Sequence, residues 1–242
     1  MTPGEIFDDI NRYGQANQND ALVQKYLRYF KEGYDAWGLL DHNDPLWNEM
    51  LSQWIENYRD LGVMGFVKTG EALFATGKYE EGALAIRFLA AMLDQVDAKA
   101  VAAIGKWFKA GIANWAHVDT LCSLVLSPLL MKGKIAITTF EPWRASEFRF
   151  QRRASIVSLL PLAKKGRDID RLIEFARPLM LDKERVVHQG VGWVLREAWK
   201  KDPKPVEALL LEFKDTGARL IFQYATEKMT PEQKSRFRKS KG

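Results

Sequence analysis

The chain has 242 residues, and 47% of them are hydrophobic, which is enough for one large core. A single cysteine excludes an internal disulfide and fits a reducing cytoplasm. The three histidines are scattered, so we expect no zinc site, no other metal and no cofactor. The sequence contains neither a signal-peptide pattern nor an apolar run of about 18 residues or more, and we therefore expect a cytoplasmic protein without a membrane span.

The two halves of the chain carry net charges of opposite sign. Residues 1–130 hold 11 Lys/Arg against 17 Asp/Glu, a balance of −6, whereas residues 131–242 hold 25 against 14, a balance of +11. This polarity favours a polyanion as the partner of the C-terminal half. The alternative is that solvated helix faces simply differ in charge and that the basic C-terminus biases the sum.

Helical periodicity is nearly continuous, and strand signals are almost absent. In chain order, the apolar stripes predict helices over Ala21–Lys31, Pro45–Leu61, Glu81–Gln95, Ala98–Ala110, Val118–Met131, Arg152–Ala163, Asp168–Met180, Lys183–Lys200 and Pro205–Lys214. Asp168 and Asp182 are candidate N-caps. Turns of two to five residues predict stacked antiparallel helix pairs, an all-α solenoid of HEAT-like repeats. We expect one such domain over residues 1–228 and a frayed basic tail over 229–242.

The first candidate for chemistry is Asp119, which follows Trp115 by four residues. This spacing places both side chains on one face of a helix. A carboxylate beside an aromatic surface suits a site that stabilises a positively charged sugar or base. The alternative is that Asp119 is only the N-cap of a helix starting at Thr120. Trp193 lies on another predicted helix, and each tryptophan taken alone is more often a core residue.

Basic residues cluster at two further places. Arg149, Arg152 and Arg153 fall within about one turn at the start of a predicted helix, which suits contacts to phosphate. The alternatives are a solvated face or an arginine buried against a nearby acid. Lys164 and Lys165 are expected to be exposed in either case. The chain has no glycine-rich phosphate loop, no nucleophile elbow and no His-Glu-x-x-His motif.

Several segments resemble one family, the DNA alkylation repair glycosylases of the AlkD type, which are HEAT-like repeat proteins. The most specific is Gln189-Gly-Val-Gly-Trp-Val-Leu-Arg-Glu197, followed by Ala-Trp-Lys-Lys-Asp-Pro203. Asn114-Trp-Ala-His-Val-Asp119 and Arg153-Ala-Ser-Ile156 are similar to two more family segments, and Tyr26 falls where the family has a tyrosine facing DNA. Asn114 stands in place of the family's first tryptophan.

The resemblance implies that Asp119 is the catalytic carboxylate and that Trp115 and Trp193 flank the deoxyribose of the damaged nucleotide. Arg153 would hold the DNA backbone, with Tyr26 packing beside it, and we expect further DNA contacts from Arg149, Arg152, Lys164 and Lys165. The activity implied is hydrolysis of the N-glycosidic bond of cationic N3- or N7-alkylated purines, which initiates base excision repair without base flipping.

The expected partner is double-stranded DNA containing alkylated purines. We expect a monomer in a bacterial cytoplasm that is associated with the nucleoid when it is bound to DNA. The enzyme should be monofunctional, since no lysine is singled out as an amine nucleophile. One alternative is a non-catalytic HEAT-like protein that binds damaged or branched DNA. The other is a HEAT-type protein-interaction scaffold, which would have an apolar or mixed concave face.

Overall fold

The computed structural model describes residues 2–30, 33–39 and 45–240. Within these residues every regular element is a helix, apart from one isolated bridge between Asp35 and Lys78. The predicted all-α class is therefore confirmed. No helix in the described ranges is both long and apolar enough to cross a membrane. Residues cluster into two compact units, Met1–Val125 and Leu126–Gly242.

The helices of the first unit have between 4 and 14 residues in the described ranges. They are α1 (Pro3–Ala16), α2 (Asp20–Leu27), α3 (Pro45–Asn57), α4 (Gly62–Ala75), α5 (Tyr79–Ala91), α6 (Ala98–Ile104), α7 (Trp107–Ala110) and α8 (Trp115–Leu121). Single 3₁₀ turns, Arg59–Leu61 and Leu93–Gln95, follow α3 and α5. The predicted stripes over 45–61, 81–95 and 98–110 are thus each divided into two shorter helical pieces.

The centre of the first unit is the α4–α5 pair. The turn between them contains Gly77 at a φ of +80°, a conformation that favours glycine. Helix α5 also packs against α8, and α4 packs against α7. Trp107 is fully buried there, and its indole donates to the carbonyl of Val67 over 2.9 Å. Because α5 packs against both α4 and α8, it connects α8 to the centre of this unit.

A buried carboxylate attaches the segment before α3 to α5. Glu80 accepts hydrogen bonds from the backbone N–H groups of Trp37, Gly38 and Leu39 over 2.7–3.0 Å. Carboxylates that accept several backbone N–H groups are well stabilised even when they are removed from water. The same segment lies at the start of α2, where the backbone N–H of Asn19 donates to the carbonyl of Trp37 over 2.7 Å.

The second unit has a longer central helix. Its elements are α9 (Ser127–Met131), α10 (Glu141–Arg144), α11 (Arg149–Val157), α12 (Leu160–Lys165), α13 (Ile169–Ala176), α14 (Arg185–Trp199), α15 (Pro203–Glu212), α16 (Arg219–Ala225) and α17 (Pro231–Ser235). Turns of 3₁₀ helix cover Ile137–Phe140 and Arg177–Leu181. Helix α14 packs against α11, α12, α15 and α16, so the core of this unit surrounds it.

Of the two expected N-caps, Asp168 has the expected position and Asp182 does not. Asp168 occupies the N-cap position of α13 at a φ of +52°, but its side chain makes no capping hydrogen bond. Asp182 accepts from the backbone N–H of Glu184 over 2.8 Å, although the cap of α14 is Glu184 itself. The second carboxylate oxygen of Asp182 is held by an arginine, as described below.

The C-terminal segment 229–240 is helical in part. It contains α17, and the side chains of Met229 and Phe237 are buried. Arg236 pairs with Glu207 over 2.7 Å, so part of the basic charge of this segment is neutralised. Burial of the two apolar side chains outweighs the repulsion among the neighbouring cations, which fixes the segment on the second unit. Residues 241 and 242 lie outside the described residues.

Candidate active site

Helix α8 carries the first two candidate residues, and its start excludes the capping alternative. The N-cap is Asn114, whose side-chain oxygen accepts from the backbone N–H of His117 over 2.8 Å. The helix runs from Trp115 to Leu121, so Asp119 lies within it. The interpretation of Asp119 as an N-cap is therefore wrong. Asn114 occupies the capping position instead.

Asn114 also begins a hydrogen-bonded chain that anchors α8 to α5. Its amide nitrogen lies 2.9 Å from Nδ1 of His117, and Nε2 of His117 lies 2.8 Å from the carbonyl of Tyr79. An amide donating to Nδ1 leaves the proton on Nε2, which can then donate to the carbonyl. Burial lowers the pKa of His117 to about 4, although the bond to Tyr79 acts in the opposite direction. His117 is thus neutral at pH 7.

Trp115 is strongly exposed for its size, with 45% of its surface accessible. Its ring lies nearly parallel to that of Phe30, with the centroids 6.1 Å apart and an interplanar angle of 17°. Phe30 in turn stacks on Tyr34 at 4.6 Å. Asp119 is half-buried and lies on the same face as Trp115, one turn further along the helix. This helix therefore presents an open aromatic surface next to a carboxylate.

Tyr26, the N-terminal candidate, lies near the end of α2 and is half-buried. The ammonium group of Lys25 is 5.4 Å from its ring centroid, and the ring of Tyr29 is 6.5 Å away. The predicted helix continued to Lys31, but α2 ends at Leu27, and Lys31 lies outside the described residues.

Arg152 on α11 forms an internal ion pair. Its guanidinium binds both carboxylate oxygens of Asp182 at 2.6 and 3.2 Å and also donates to the carbonyls of Ser146 and Glu147. Bidentate arginine–carboxylate pairs are geometrically specific and strong. The structure thus matches the alternative in which the arginine is held by a nearby acid, and these contacts fix α11 to the turn before α14.

Arg153 is also directed inward. Only 5% of its surface is exposed, and Nη1 donates to the carbonyl of Val186 over 2.7 Å. Val186 lies in the first turn of α14, the helix that carries Trp193. A guanidinium in this position holds two helices together, which the sequence alone did not indicate.

Trp193 is half-buried between fully buried neighbours on α14. The preceding residue explains part of the Gly-Trp-Val-Leu-Arg-Glu segment. A Cβ on Gly192 would lie 2.5 Å from Cβ of Tyr224 and 2.8 Å from the carbonyl oxygen of Ile221. Only glycine allows α14 and α16 to approach this closely. The glycine is therefore required for the close packing of α14 on α16 next to Trp193.

The remaining basic candidates are accessible. Lys164 and Lys165 are exposed in the last turn of α12, where cations also interact favourably with the helix dipole. Arg149 is half-buried at the start of α11, with its guanidinium over the ring of Phe150 and 3.7 Å from Glu184. These three residues can reach a polyanion without breaking a buried interaction.

Comparison with known proteins gives the family. A family model described as DNA alkylation repair enzyme matches residues 15–229, which is most of the chain. The chain belongs to this family. Membership in the DNA alkylation repair enzyme family supports a role in DNA repair with DNA as the substrate. A comparison with curated proteins found no match.

Among solved structures, the chain is similar to one described as "Predicted DNA alkylation repair enzyme from Enterococcus faecalis". The TM-score is 0.73 at 19% sequence identity, and the match covers 89% of this chain and 98% of that one. At this identity the likeness shows a shared fold.

Sequence reasoning identified Trp115 and Asp119, which share one helix face, but missed two residues that organise this part of the family fold. Asn114 could have been recognised, since an asparagine before a helical run is a common N-cap signal. Phe30 could not, because its contact with Trp115 joins the segment after α2 to the start of α8, and these are distant in sequence.

Proposed function

We propose that this protein is a monofunctional DNA glycosylase that hydrolyses the N-glycosidic bond of cationic N3- or N7-alkylated purines in duplex DNA. The observation that carries the proposal is the pairing of exposed Trp115 with Asp119 on one face of α8, in a chain of the DNA alkylation repair enzyme family. A buried aromatic would serve the core, but a tryptophan that is 45% exposed beside a carboxylate is available to a ligand.

The chemistry requires little beyond electrostatic stabilisation. A purine alkylated at N3 or N7 carries a positive charge, so it leaves as a neutral base when the bond to C1′ breaks and takes the bonding electrons. The sugar becomes an oxocarbenium-like cation. Asp119 would stabilise this charge and orient the water that attacks C1′. That water loses its proton to the carboxylate or to solvent, and the products are the free base and an abasic site.

The tryptophans would act on the same cation. An aromatic face attracts a positive charge by about 0.5–2 kcal/mol, more when the pair is removed from water. Trp115 is positioned for this by α8, and we propose the same role for Trp193 on α14. Because the contact is to the sugar rather than to a base in an enclosed pocket, the nucleotide need not be flipped out of the duplex.

Affinity for DNA would come mainly from phosphate contacts. We propose that Arg149, Lys164 and Lys165 supply them in the second unit and that Tyr26 contacts DNA in the first. Arg152 and Arg153 are engaged internally, so we propose that they act by fixing α11 against the start of α14. Binding that relies on phosphate contacts weakens steeply as salt increases.

The proposal is tested by release of 7-methylguanine and 3-methyladenine from methylated duplex DNA, followed by chromatography. We expect the wild type to release base and the Asp119→Asn variant to be slower by about 100-fold or more, in line with the loss of one charge-stabilising group. Asp60→Asn is a matched control, since Asp60 is an exposed aspartate of the same unit. No release by the wild type would refute the glycosylase function, whereas full activity of Asp119→Asn would refute the mechanism.

A further inference from the structure

The surface around Trp115 is larger than the sequence indicated. Tyr29 precedes Phe30 in the chain, and Phe30 lies against Trp115; we call these three residues the aromatic platform. Tyr29 is 53% exposed and Trp115 is 45% exposed, and Phe30 stacks on Trp115 at 6.1 Å. Leu27 on α2 is 41% exposed as well. Aromatic side chains normally bury most of their surface, so this concentration of exposed rings marks a binding surface.

Positive charge accompanies the rings. The guanidinium of Arg28 lies 4.9 Å from the ring centroid of Tyr29 and also donates to its hydroxyl over 2.9 Å. Lys25 lies over Tyr26 at 5.4 Å. Neither cation forms an ion pair within the described part of the chain, although residues 1–130 carry a net charge of −6. Among the described residues, these two cations are therefore available to an anionic partner.

Exposed rings interleaved with cations suit one class of ligand. Unstacked nucleobases bind aromatic faces, and the adjoining phosphates bind lysine or arginine. A paired base inside a duplex offers no free face, so the ligand must be single-stranded or locally unpaired. A protein partner with an acidic surface would engage the cations but would have no need for flat, exposed rings.

We propose that the aromatic platform, together with Arg28, binds an unpaired nucleobase and its phosphate. This inference rests on the proposed function for its context, since Trp115 shares a helix face with Asp119. The stacked base would belong to a nucleotide that the lesion leaves unpaired and not to the lesion itself, so the platform would favour distorted over intact duplex.

Direct binding tests the platform without any excision step. The probes are a labelled thymidine oligonucleotide of about 12 nucleotides and a duplex of the same length, with the dissociation constants measured at one low salt concentration. We expect Tyr29→Ala to weaken binding to the single strand by about 5- to 100-fold and to leave binding to the duplex within about twofold. Tyr29→Phe should retain wild-type affinity, since the ring face remains.

Controls separate the possible outcomes. Met64→Ala removes an equally exposed apolar side chain from α4 and should leave both affinities unchanged. Unchanged single-strand binding by Tyr29→Ala, or an equal loss in Tyr29→Phe, would overturn the platform. A wild type that binds the single strand through Tyr29 but releases no alkylated base would refute the glycosylase function and leave the platform intact.

Discussion

The guanidinium of Arg153 donates to the carbonyl of Val186 over 2.7 Å and so joins α11 to the first turn of the helix that carries Trp193. The sequence favoured Arg153 as a residue that holds the DNA backbone. Its burial instead suggests that it acts on DNA through the position of α14.

Replacement of Arg153 should therefore reduce stability and excision together. Arg153→Ala removes a hydrogen bond from a charged group between α11 and α14, and such a bond is worth about 1.5–3 kcal/mol. We expect a melting temperature lower by several degrees and slower excision, with an unchanged dependence of DNA affinity on salt. Arg153→Lys should recover part of the stability. The opposite result would be a normal melting temperature and a shallower slope of log affinity against log salt concentration, by about one phosphate contact. That result would identify Arg153 as a phosphate ligand.

Trp193→Ala should slow excision at saturating DNA by about 10-fold, in line with the loss of one cation–π contact in the transition state. Binding to undamaged duplex should change little, because that binding depends on phosphate contacts. Single-turnover excision and fluorescence anisotropy measure the two quantities. Trp199→Ala on the same helix is the control, since its indole donates to Glu207 and we expect it to affect stability alone. Equal losses of binding and excision would mark Trp193 as a core residue.

His117 makes the stability of the protein depend on pH. Burial lowers its pKa to about 4, whereas an unfolded histidine titrates near 6.5. The unfolded chain therefore binds more protons between these values. The contribution of His117 is fully present above about pH 6.5 and is lost as the pH falls toward 4, by about 3 kcal/mol in total.

Urea unfolding at several pH values measures this dependence. His117→Gln should be less stable than the wild type at pH 7, and the difference should shrink as the pH falls through this window. His188→Gln, at the histidine bonded to the carbonyl of Asp182, is the matched substitution for comparison. A constant difference between wild type and His117→Gln would show that His117 does not titrate in this window.

Gly192→Ala should destabilise the second unit. The added Cβ would meet Cβ of Tyr224 and the backbone oxygen of Ile221, neither of which can move without shifting α16. Overpacking of this kind costs about 1–3 kcal/mol. In a chain of this size each 1 kcal/mol lowers the melting temperature by about 2–4 °C, which calorimetry resolves. Gly4→Ala is the control, because among the described residues the nearest atom to its Cβ is 3.8 Å away and alanine favours a helix. Equal melting temperatures for the two variants would contradict the packing argument.

The sequence predicted the class of structure well because helical periodicity is a local property. The stripe over 183–200 corresponds to α14, which differs by only a residue or two at its ends. The stripe over 118–131 was less accurate, because α8 begins at Trp115 and residues 122–126 form a π-helical turn before α9. Apolar spacing does not distinguish a continuous helix from two helices separated by such a turn.

The sequence by itself determined the all-α fold and the family, and it drew attention to Trp115, Asp119 and Trp193. Apolar period, cap residues and short motifs are encoded in neighbouring positions, and so they can be recognised without coordinates. Only the tertiary structure shows that Arg152 and Arg153 form hydrogen bonds to other residues of the protein and that Phe30 lies against Trp115. Whether a charged or aromatic side chain is free depends on partners that are distant in sequence, and only packing brings these partners into contact.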